Sequence, residues 1–583
     1  MTMIAFDLET VWSSSYSVAK MGLDRYVKDP RFQVTLVSLW SPEFNWVGKP
    51  ADLPVEKLNG QDLCAHNAEF DSVCARTGIS RGQMPAFSPA SWTCTADMAA
   101  WHQFPRSLAG AIKSMFGETL SKEAREQMAG LDPETIASSQ AFRDYALLDA
   151  KNCYRLYEQF EETWPEKEAI LSQLTRRIAS RGLPLNGTLC QEAIAKLDEA
   201  IDETDRVLPW TGAAPATSPT ALADACRLAG AKPPPSTNED DPKVETWKRG
   251  NPDQAVWLEA MSRRRKVQKA QKQFMGLILR SRPDGRVSTR LKYCGAQHTG
   301  RWSGAGGLNF QAIPRAAVEG ASMKSCLAAP AGKVLVTADL SQIEPRILHW
   351  LAGDLDFLSL VRGGIDLYEA HGRASGLYDE DEPMKDFAPH LRHLCKARTL
   401  GLGYGCGAKR FSQVAHALTG GKLDLSFAAA RKEVMSYRKQ NPLVLKLWDQ
   451  LDEAVRWFLE RDEDVGEILT PNGKPIKYFN LREKSGELLA STVPGAGDKK
   501  LFGGLLAENL VQATAREVFA DALIRIEAMG LPVCLHVHDS VTVEVAESEG
   551  QAALSALVQV LSEPPAWANG LPLAAEGEIK GHY

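Results

Sequence analysis

VLVTADLSQIEPRILHWLAGD, residues 334–354, begins with an apolar run that is typical of a buried β-strand. Asp339 follows this run directly, and Ile343 and Ile347 then recur at the spacing of one helix face. A carboxylate at the end of a buried strand is a suitable ligand for a hard divalent cation. An ordinary helix that starts with a Ser341–Glu344 capping box is the alternative interpretation. This stretch alone leaves both interpretations open.

The composition predicts several globular domains. The 583 residues are 44% hydrophobic and 24% charged, and no apolar run approaches the roughly 18 residues that span a membrane. The first residues lead straight into a strand, without a basic stretch and a cleavage site. The eleven cysteines form no Cys-x-x-Cys pair, which argues against a zinc site or a disulfide framework. We therefore expect no membrane partner and a reducing, cytoplasmic location.

Positive charge is concentrated in one segment, although the net charge of the chain is −6. Twelve lysines and arginines lie between Arg263 and Arg301, against a single acidic residue. Residues 256–280 predict a helix with an apolar stripe on one face and cations on the remainder. Because these cations are almost unopposed, we predict that Arg263, Arg264 and Lys269 bind nucleic-acid phosphates. A merely solvated helix face is the alternative.

Residues 1–165 are typical of an α/β domain that carries an acidic cluster. Asp7 and Glu9 are two apart in a predicted strand and therefore share a face. Tyr145 and Asp149 share a face of a helix predicted over residues 141–157. Together with Asp71, these residues provide four carboxylates and a phenol, a set that suits two-metal hydrolysis of a phosphodiester. Each of them taken alone is more typical of a solvated surface.

Two further patterns lie downstream of Asp339. A stripe of residues repeats every four positions and predicts one long helix: Arg392, Lys396, Leu400 and Tyr404. Lysine and arginine are seldom buried unpaired, so the stripe favours a nucleotide, with cations for the phosphates, over core packing. The apolar runs 533–535 and 541–545 predict a β-hairpin with His538 and Asp539 at its turn.

Taken together, these segments resemble the three motifs of the family-A DNA polymerases, the group of bacterial DNA polymerase I and its phage relatives. Asp339–Arg346 is similar to motif A, Arg392–Gly405 to motif B and His538–Asp539 to motif C, in the order that the family requires. The amino-terminal acidic set resembles the DEDD-type 3′–5′ exonucleases of the tyrosine-bearing subtype. The resemblance covers nearly the whole chain and implies template-directed DNA synthesis with proofreading, in phage or bacterial replication.

The resemblance also implies a multidomain fold of the α/β and α+β classes. An RNase H-like exonuclease domain is expected over residues 1–165, followed by a right-hand polymerase domain over residues 166–583. Within the polymerase domain, the expected parts are a thumb and connecting region (166–315), a palm (316–360 and 500–583), and fingers with adjoining segments (361–499). Residues 209–253 are rich in proline, alanine and threonine, so a linker is possible, but the helical content of residues 219–227 favours a small subdomain near the thumb, of open role.

The resemblance implies a role for each candidate residue. Two Mg²⁺ ions, replaceable by Mn²⁺, are expected in each site, held by Asp339, Asp539 and the Leu340 carbonyl in one and by Asp7, Glu9, Asp71 and Asp149 in the other. Tyr145 is expected to orient the attacking water, and Lys396 to act as general acid. The residues expected to bind the dNTP are Gln342, Glu344, Tyr368, Arg392, Lys396, Leu400 and Tyr404. Those expected to bind primer-template DNA are Arg263, Arg264, Lys269, Arg301, Asn309, Gln311, Gln512 and His538.

The sequence departs from the family pattern at several positions. Ser540 stands where motif C usually has a glutamate, and Glu544 lies about 13 Å farther along the strand, too far for an easy substitute. Leu400 stands where phenylalanine or tyrosine is usual, and Tyr368 where many members have histidine. Two alternatives remain: a single-subunit RNA polymerase, against which Glu344 argues, and a non-catalytic DNA-binding protein. A processivity factor is a further conceivable partner.

Overall fold

The computed structural model describes residues 3–239 and 241–583. Met1, Thr2 and Asp240 lie outside the described residues, and the predicted first strand begins at Ile4. In the described ranges, no helix combines the length and the apolar character that crossing a membrane requires.

The amino-terminal region alternates strands and helices around one sheet. Its elements are β1 (Ile4–Thr10), α1 (Val18–Met21), α2 (Leu23–Lys28), β2 (Val34–Ser41), β3 (Phe44–Gly48), β4 (Asp62–Ala65), α3 (Ala68–Ser80), β5 (Ser91–Cys94), α4 (Thr95–Trp101), α5 (Leu108–Phe116), α6 (Glu123–Gln127), α7 (Pro133–Ser138) and α8 (Gln140–Phe160). The helix predicted over residues 141–157 is thereby confirmed as part of α8.

This sheet has the strand order β3-β2-β1-β4-β5. β1 is antiparallel to β2 and parallel to β4, and β5 continues the parallel half. Along β1, Phe6 and Leu8 are buried, whereas Asp7 and Glu9 are only partly covered. The period of two along a strand therefore turns both acidic side chains to the same face, as predicted.

A largely helical region follows, with four short strands. Its elements are α9 (Glu166–Arg181), β6 (Leu183–Pro184), α10 (Gly187–Val207), α11 (Pro219–Leu228), α12 (Pro242–Gly250), α13 (Pro252–Arg280), β7 (Arg286–Val287), β8 (Leu291–Ala296), β9 (Arg301–Gly304) and α14 (Met323–Cys326). The basic helix α13 begins four residues earlier than predicted, with Pro252 in its first turn, where proline is tolerated. α10 and α13 pack against each other along their apolar faces.

The segment 209–253 has a small core of its own. Leu222 and Cys226 of α11 are buried with Val244 and Trp247 of α12 against Leu258 of α13. This cluster agrees with the expected subdomain and places it on the amino-terminal half of α13.

The remaining chain forms two further sheets and a helical layer. Its elements are β10 (Lys333–Leu340), α15 (Ile343–Leu351), α16 (Leu355–Arg362), α17 (Leu367–Ala374), α18 (Met384–Phe387), α19 (Pro389–Leu402), α20 (Ala408–Leu418), α21 (Phe427–Gln440), α22 (Pro442–Leu459), β11 (Val465–Leu469), β12 (Pro475–Lys484), β13 (Glu487–Ser491), β14 (Lys499–Leu501), α23 (Gly503–Ala528), β15 (Val533–Val537), β16 (Ser540–Ala546), α24 (Gly550–Ser562) and β17 (Ala575–Lys580).

The central sheet has the order β15-β16-β10-β17, and each neighbouring pair is antiparallel. α24 packs against β10 and β17. The predicted strand of residues 334–338 is confirmed in β10, and the predicted hairpin is confirmed in β15 and β16. His538 occupies the turn of this hairpin with a φ of 55°, in the left-handed region that tight turns use.

One local prediction for this region was wrong, and one alternative interpretation is not found. Motif B does not form one helix through Tyr404, because α19 ends at Leu402 and Tyr404 lies in the following turn. Gly405 has a φ of 81°, which stops the helix, and Gly504 packs so closely that a Cβ on it would lie 2.5 Å from the Tyr404 carbonyl oxygen. The Ser341–Glu344 capping box is also absent, since α15 starts after Gln342 in a left-handed conformation without a side-chain cap.

One apolar core extends across the expected domain boundary at residue 166. Trp101, Leu156 and Trp164 of the amino-terminal region belong to the same buried cluster as the central sheet and α23. The β11–β14 sheet also contributes Ile476 and Tyr478 to this cluster, although its strands fall in the segment expected to adjoin the fingers. The amino-terminal region is therefore packed firmly against the rest of the chain.

Candidate active sites

The carboxylates of Asp339 and Asp539 meet at one end of the central sheet. Asp339 lies near the end of β10, and the backbone N–H of Leu340 donates a hydrogen bond to the Asp539 carbonyl oxygen at 3.1 Å. Burial, with repulsion from Asp539 and then from Glu576, raises the pKa of Asp339 to about 6. Burial also raises the pKa of Asp539. Two hard oxygen donors that repel each other in a partly desolvated position suit a divalent cation.

Glu576 stands directly opposite Asp339 in the neighbouring strand β17. Its position beside Asp339 could not be predicted from the sequence, because the pairing of a carboxy-terminal strand with residues more than two hundred positions earlier leaves no local signal. The alternating pattern of β17 alone would have identified a strand, without indicating its partner.

A cavity of about 300 Å³ opens beside Asp539. It is lined by several of the residues predicted to bind the dNTP and the DNA: Arg301, Gln311, Gln342, Glu344, Leu400, Gln512 and His538. Arg301 lies 3.5 Å from Glu344, and Gln512 donates a hydrogen bond to Glu508 at 3.2 Å. Burial raises the pKa of Glu344. Burial and the nearby Glu344 carboxylate raise the pKa of Tyr404, so the two predicted partners are neighbours.

A second cavity, of about 830 Å³, opens on the other side of Asp339. Its lining combines acidic and basic side chains, among them Asp339, Arg346, Arg362, Asp366, Arg392 and Glu576, with the neutral amide of Gln342. Arg392 is 3.1 Å from Asp366, and its guanidinium lies 5.0 Å from the centroid of the Tyr368 ring. The buried Nε of Arg392 has no hydrogen-bond partner. The arrangement therefore leaves this cation with unused donor capacity beside a cavity.

Several predicted DNA-binding residues already have partners within the chain. Arg263 pairs with Glu319 at 2.8 Å and with Glu203 at 2.9 Å. Arg264 pairs with Asp205 at 2.8 Å, and Asn309 accepts a hydrogen bond from the Gln311 amide at 3.0 Å. Lys269, by contrast, is exposed and makes no ion pair with any described residue. DNA binding by these residues stays a prediction. Among Arg263, Arg264 and Lys269, only the charge of Lys269 is not paired with another described residue.

The amino-terminal region brings its predicted acidic set together. Burial raises the pKa of Asp7, and so does repulsion from Glu9, Asp71 and Asp149. Burial and Asp149 raise the pKa of Glu9 to about 7. The Tyr145 phenol has a raised pKa through burial and through its neighbour Asp149, with which it shares a hydrogen bond. All five residues of the pattern are therefore close enough to influence one another.

The donor set of this acidic cluster fits divalent cations. Oδ2 of Asp7 and Oδ1 of Asp71 are buried without a hydrogen-bond partner, which is costly unless a cation compensates them. Residues 3–239 and 241–583 contain no cluster of three or more His, Cys, Asp or Glu side chains already arranged as metal ligands. The fit of the acidic cluster to a divalent cation therefore rests on the chemistry of its donors and on their mutual repulsion. For Asp339 and Asp539 too, the fit to a divalent cation rests on the chemistry of the donors and on their mutual repulsion.

Comparisons with known proteins bear on the family resemblance. The model of the family described as DNA polymerase family A matches residues 236–485. This range contains Asp339–Arg346 and Arg392–Gly405, whereas His538 and Asp539 lie beyond it. A DNA polymerase of Bacillus phage SP02 is 23% identical over 686 aligned positions that cover the whole of both chains.

Bacterial relatives match only part of the chain. The thermostable DNA polymerase I of Thermus filiformis is 28% identical over 303 positions, 51% of this chain and 32% of that protein. The corresponding enzyme of Thermus aquaticus is 27% identical over 282 positions, 48% of this chain and 30% of that protein. This chain therefore matches about a third of the length of these two relatives.

A solved structure shares the overall fold. The polymerase domain of Pol1 from M. smegmatis, solved in a complex with DNA primer-template and dNTP, has a TM-score of 0.66 at 17% identity, and the match covers 99% of this chain and 95% of that one. The family match, the full-length similarity to the phage polymerase and the two motif segments in order point the same way. The chain is therefore similar to the polymerases of DNA polymerase family A, over residues 236–485 by the family model and over its whole length by the phage enzyme.

Proposed function

We propose that this chain is a DNA-dependent DNA polymerase of the phage replicative type that also proofreads its product through a 3′–5′ exonuclease. The observation that carries the polymerase function is the meeting of Asp339 and Asp539 between two cavities lined by the predicted nucleotide- and DNA-binding residues. The substrates are a primer-template and dNTPs. The expected product is a primer longer by one nucleotide, together with pyrophosphate.

The polymerase site would hold two Mg²⁺ ions through Asp339, Asp539 and the main-chain carbonyl of Leu340. When bound, the ions supply Lewis-acid activation of the primer 3′-hydroxyl and neutralise charge on the phosphates. The pKa values of both aspartates are raised, so their ionisation is disfavoured in the protein alone. A bound cation would favour the charged form of each carboxylate, which supports this role.

The side chains on α19 act on the triphosphate. Arg392 binds phosphate oxygens through the donors that Asp366 leaves unused, and Tyr368 holds its guanidinium from one side. Lys396 is one turn farther along, partly exposed, and makes no hydrogen bond or ion pair with any described residue. Its ammonium group is therefore available to protonate the departing pyrophosphate as a general acid.

The sugar is selected in the smaller cavity. Glu344, beside Tyr404, occupies the space next to C2′ of the incoming nucleotide, and Leu400 faces the same cavity. The primer-template lies along Arg301, Gln512 and His538. Glu344 also pairs with Arg301, so the sugar site and the DNA site share one electrostatic network.

The exonuclease function rests on the five residues gathered in the amino-terminal region. Its sheet order, with β2 antiparallel to its neighbours β1 and β3, and with β4 and β5 parallel to β1, is the arrangement expected of an RNase H-like domain. Asp7, Glu9 and Asp149 would hold one metal ion, and Asp71 would help to hold a second. Tyr145, which shares a hydrogen bond with Asp149, orients the attacking water.

We place the protein in the cytoplasm, that of the host if a phage encodes it. Ten of its eleven cysteines are buried, and all are free, which suits a reducing compartment. A processivity factor is a compatible additional partner, as is Mn²⁺ in place of Mg²⁺.

A primer-extension assay with dNTPs, with rNTPs and without nucleotides tests this proposal. We expect extension with dNTPs only, and shortening of the primer 3′ end without nucleotides. Asp7→Ala with Glu9→Ala should abolish the shortening and leave extension largely intact, because the two sites lie in separate regions. Extension with rNTPs would instead support an RNA polymerase, and no extension a non-catalytic DNA-binding protein. Continued shortening by the double variant would place the nuclease site elsewhere.

A further inference from the structure

Three strands of the central sheet place three residues in one row. In the antiparallel register, Asp339 of β10 pairs with Ser540 of β16 on one side and with Glu576 of β17 on the other. Directly opposed residues in antiparallel strands point to the same face of a sheet, with Cβ atoms about 4.5–5.5 Å apart. Ser540, Asp339 and Glu576 therefore form a cross-strand row on the face that carries the polymerase site.

The two flanks of Asp339 differ in charge. On the β16 flank, Ser540 offers a neutral hydroxyl. On the β17 flank, Glu576 offers a carboxylate that is exposed and makes no ion pair with any described residue. Glu544, the other acidic residue nearby, is already neutralised by Arg286 at 2.7 Å and Lys333 at 2.9 Å. Glu576 is thus the free acidic neighbour of Asp339 within this row.

Glu576 also lies on the nucleotide side of the site. Both Asp339 and Glu576 line the 830 Å³ cavity, and Arg392 lines it too. After burial and repulsion from Asp539, the charge of Glu576 is a further cause that raises the pKa of Asp339. A third negative charge at this point is costly to the protein alone and becomes favourable when a divalent cation is bound.

We propose that Glu576 is a third acidic group of the polymerase metal centre, beside Asp339 and Asp539. This inference rests on the proposed polymerase function. Glu576 acts as a positioning residue: its charge, added to those of Asp339 and Asp539, raises the affinity of the centre for divalent cations. Glu578, two residues farther along β17 and opposite Thr337, shares the face and pairs with Lys580. It is one row away and has no such role.

Direct measurement of Mn²⁺ binding tests the proposal without relying on activity. The sample is the full chain carrying Asp7→Ala and Glu9→Ala, in complex with a primer-template whose 3′-hydroxyl is missing and with the matching dNTP, so that no chemistry occurs. Free Mn²⁺ is counted by electron paramagnetic resonance. Glu576→Gln should weaken Mn²⁺ binding by about 10- to 100-fold, the usual cost of losing a supporting group of a metal site. The matched variant Glu578→Gln should stay within about twofold of the parent.

A rescue variant separates loss of charge from loss of structure. Ser540→Glu, added to Glu576→Gln, restores a carboxylate on the other flank of Asp339 and should recover most of the lost affinity. An unchanged affinity in Glu576→Gln, an equal loss in Glu578→Gln, or no recovery on adding Ser540→Glu would each overturn the inference. Asp339→Asn in the same background must also lose affinity; if it does not, the proposed polymerase site itself is wrong.

Discussion

Glu344 lies among the residues of the proposed sugar site. It lies 3.5 Å from Arg301, faces the 300 Å³ cavity with Leu400, and is close enough to Tyr404 to raise the pKa of that phenol. In the proposed complex, its carboxylate occupies the space that a 2′-hydroxyl would need. Substitution of Glu344 is therefore a direct test of sugar selection.

Glu344→Ala should admit ribonucleotides. Removal of the carboxylate opens room for a hydroxyl that the parent would meet sterically or leave without a hydrogen-bond partner, at about 1–3 kcal/mol. The dNTP-to-rNTP ratio of incorporation efficiencies should fall by roughly 5- to 150-fold. Glu344→Gln keeps the volume and removes the charge, so it should retain most of the discrimination. Equal ratios for the parent and Glu344→Ala would refute the gate.

Leu400 predicts discrimination against dideoxynucleotides. It faces the nucleotide cavity without a hydroxyl that could replace the missing 3′-hydroxyl of a terminator. Losing such a hydrogen bond to a charged group costs about 1.5–3 kcal/mol, roughly 10- to 150-fold in rate. Leu400→Tyr should erase most of this preference, measured as the dNTP-to-ddNTP efficiency ratio in an exonuclease-deficient background. A parent ratio near one would show the argument to be wrong.

At the scale of elements, α13 shows how pairing redistributes a charged surface. Its cations look unopposed in the sequence, yet Glu203, Asp205 and Glu319, from outside the helix, neutralise Arg263 and Arg264. Lys269 is exposed on the same helix without such a partner. The charge available to DNA is therefore smaller than the sequence suggests.

Lys269→Ala should weaken primer-template binding and flatten its salt dependence. Each lost phosphate contact reduces the slope of log affinity against log salt by about one unit. Arg263→Ala, the matched variant on the same helix, should reduce the slope less, because two carboxylates already occupy its guanidinium. Binding is measured by fluorescence anisotropy over a series of salt concentrations. A slope unchanged by Lys269→Ala would make this surface a solvated helix face.

Local sequence patterns predicted several of these elements, but not the contacts between distant segments. The strand that ends near Asp339, the hairpin around Asp539 and the helix that carries Tyr145 follow from local periodicity, and the structure has all three. The end of α19 was predicted too late, because it depends on the close approach of Gly504 to the Tyr404 carbonyl from a distant helix. Glu576 was missed because only strand pairing brings it to Asp339.

At the scale of the whole molecule, the two proposed activities share one body. Gln103 of the amino-terminal region is buried, donates hydrogen bonds to the carbonyls of Lys477 and Thr492 at 2.9 Å each, and accepts one from the Lys477 amide at 2.7 Å. The common apolar core adds to this contact. The expected boundary at residue 166 therefore separates sites rather than independent cores, and a variant that unfolds one region should disturb the other.

The most direct test of the central claim is primer extension by Asp539→Ala. If Asp339 and Asp539 together hold the catalytic metal ions, this variant should lose extension by several orders of magnitude, since two metal-dependent roles depend on it. Shortening of the primer 3′ end without nucleotides should persist at the rate of the parent, which shows that the shared body is intact. Normal extension by Asp539→Ala would contradict the account.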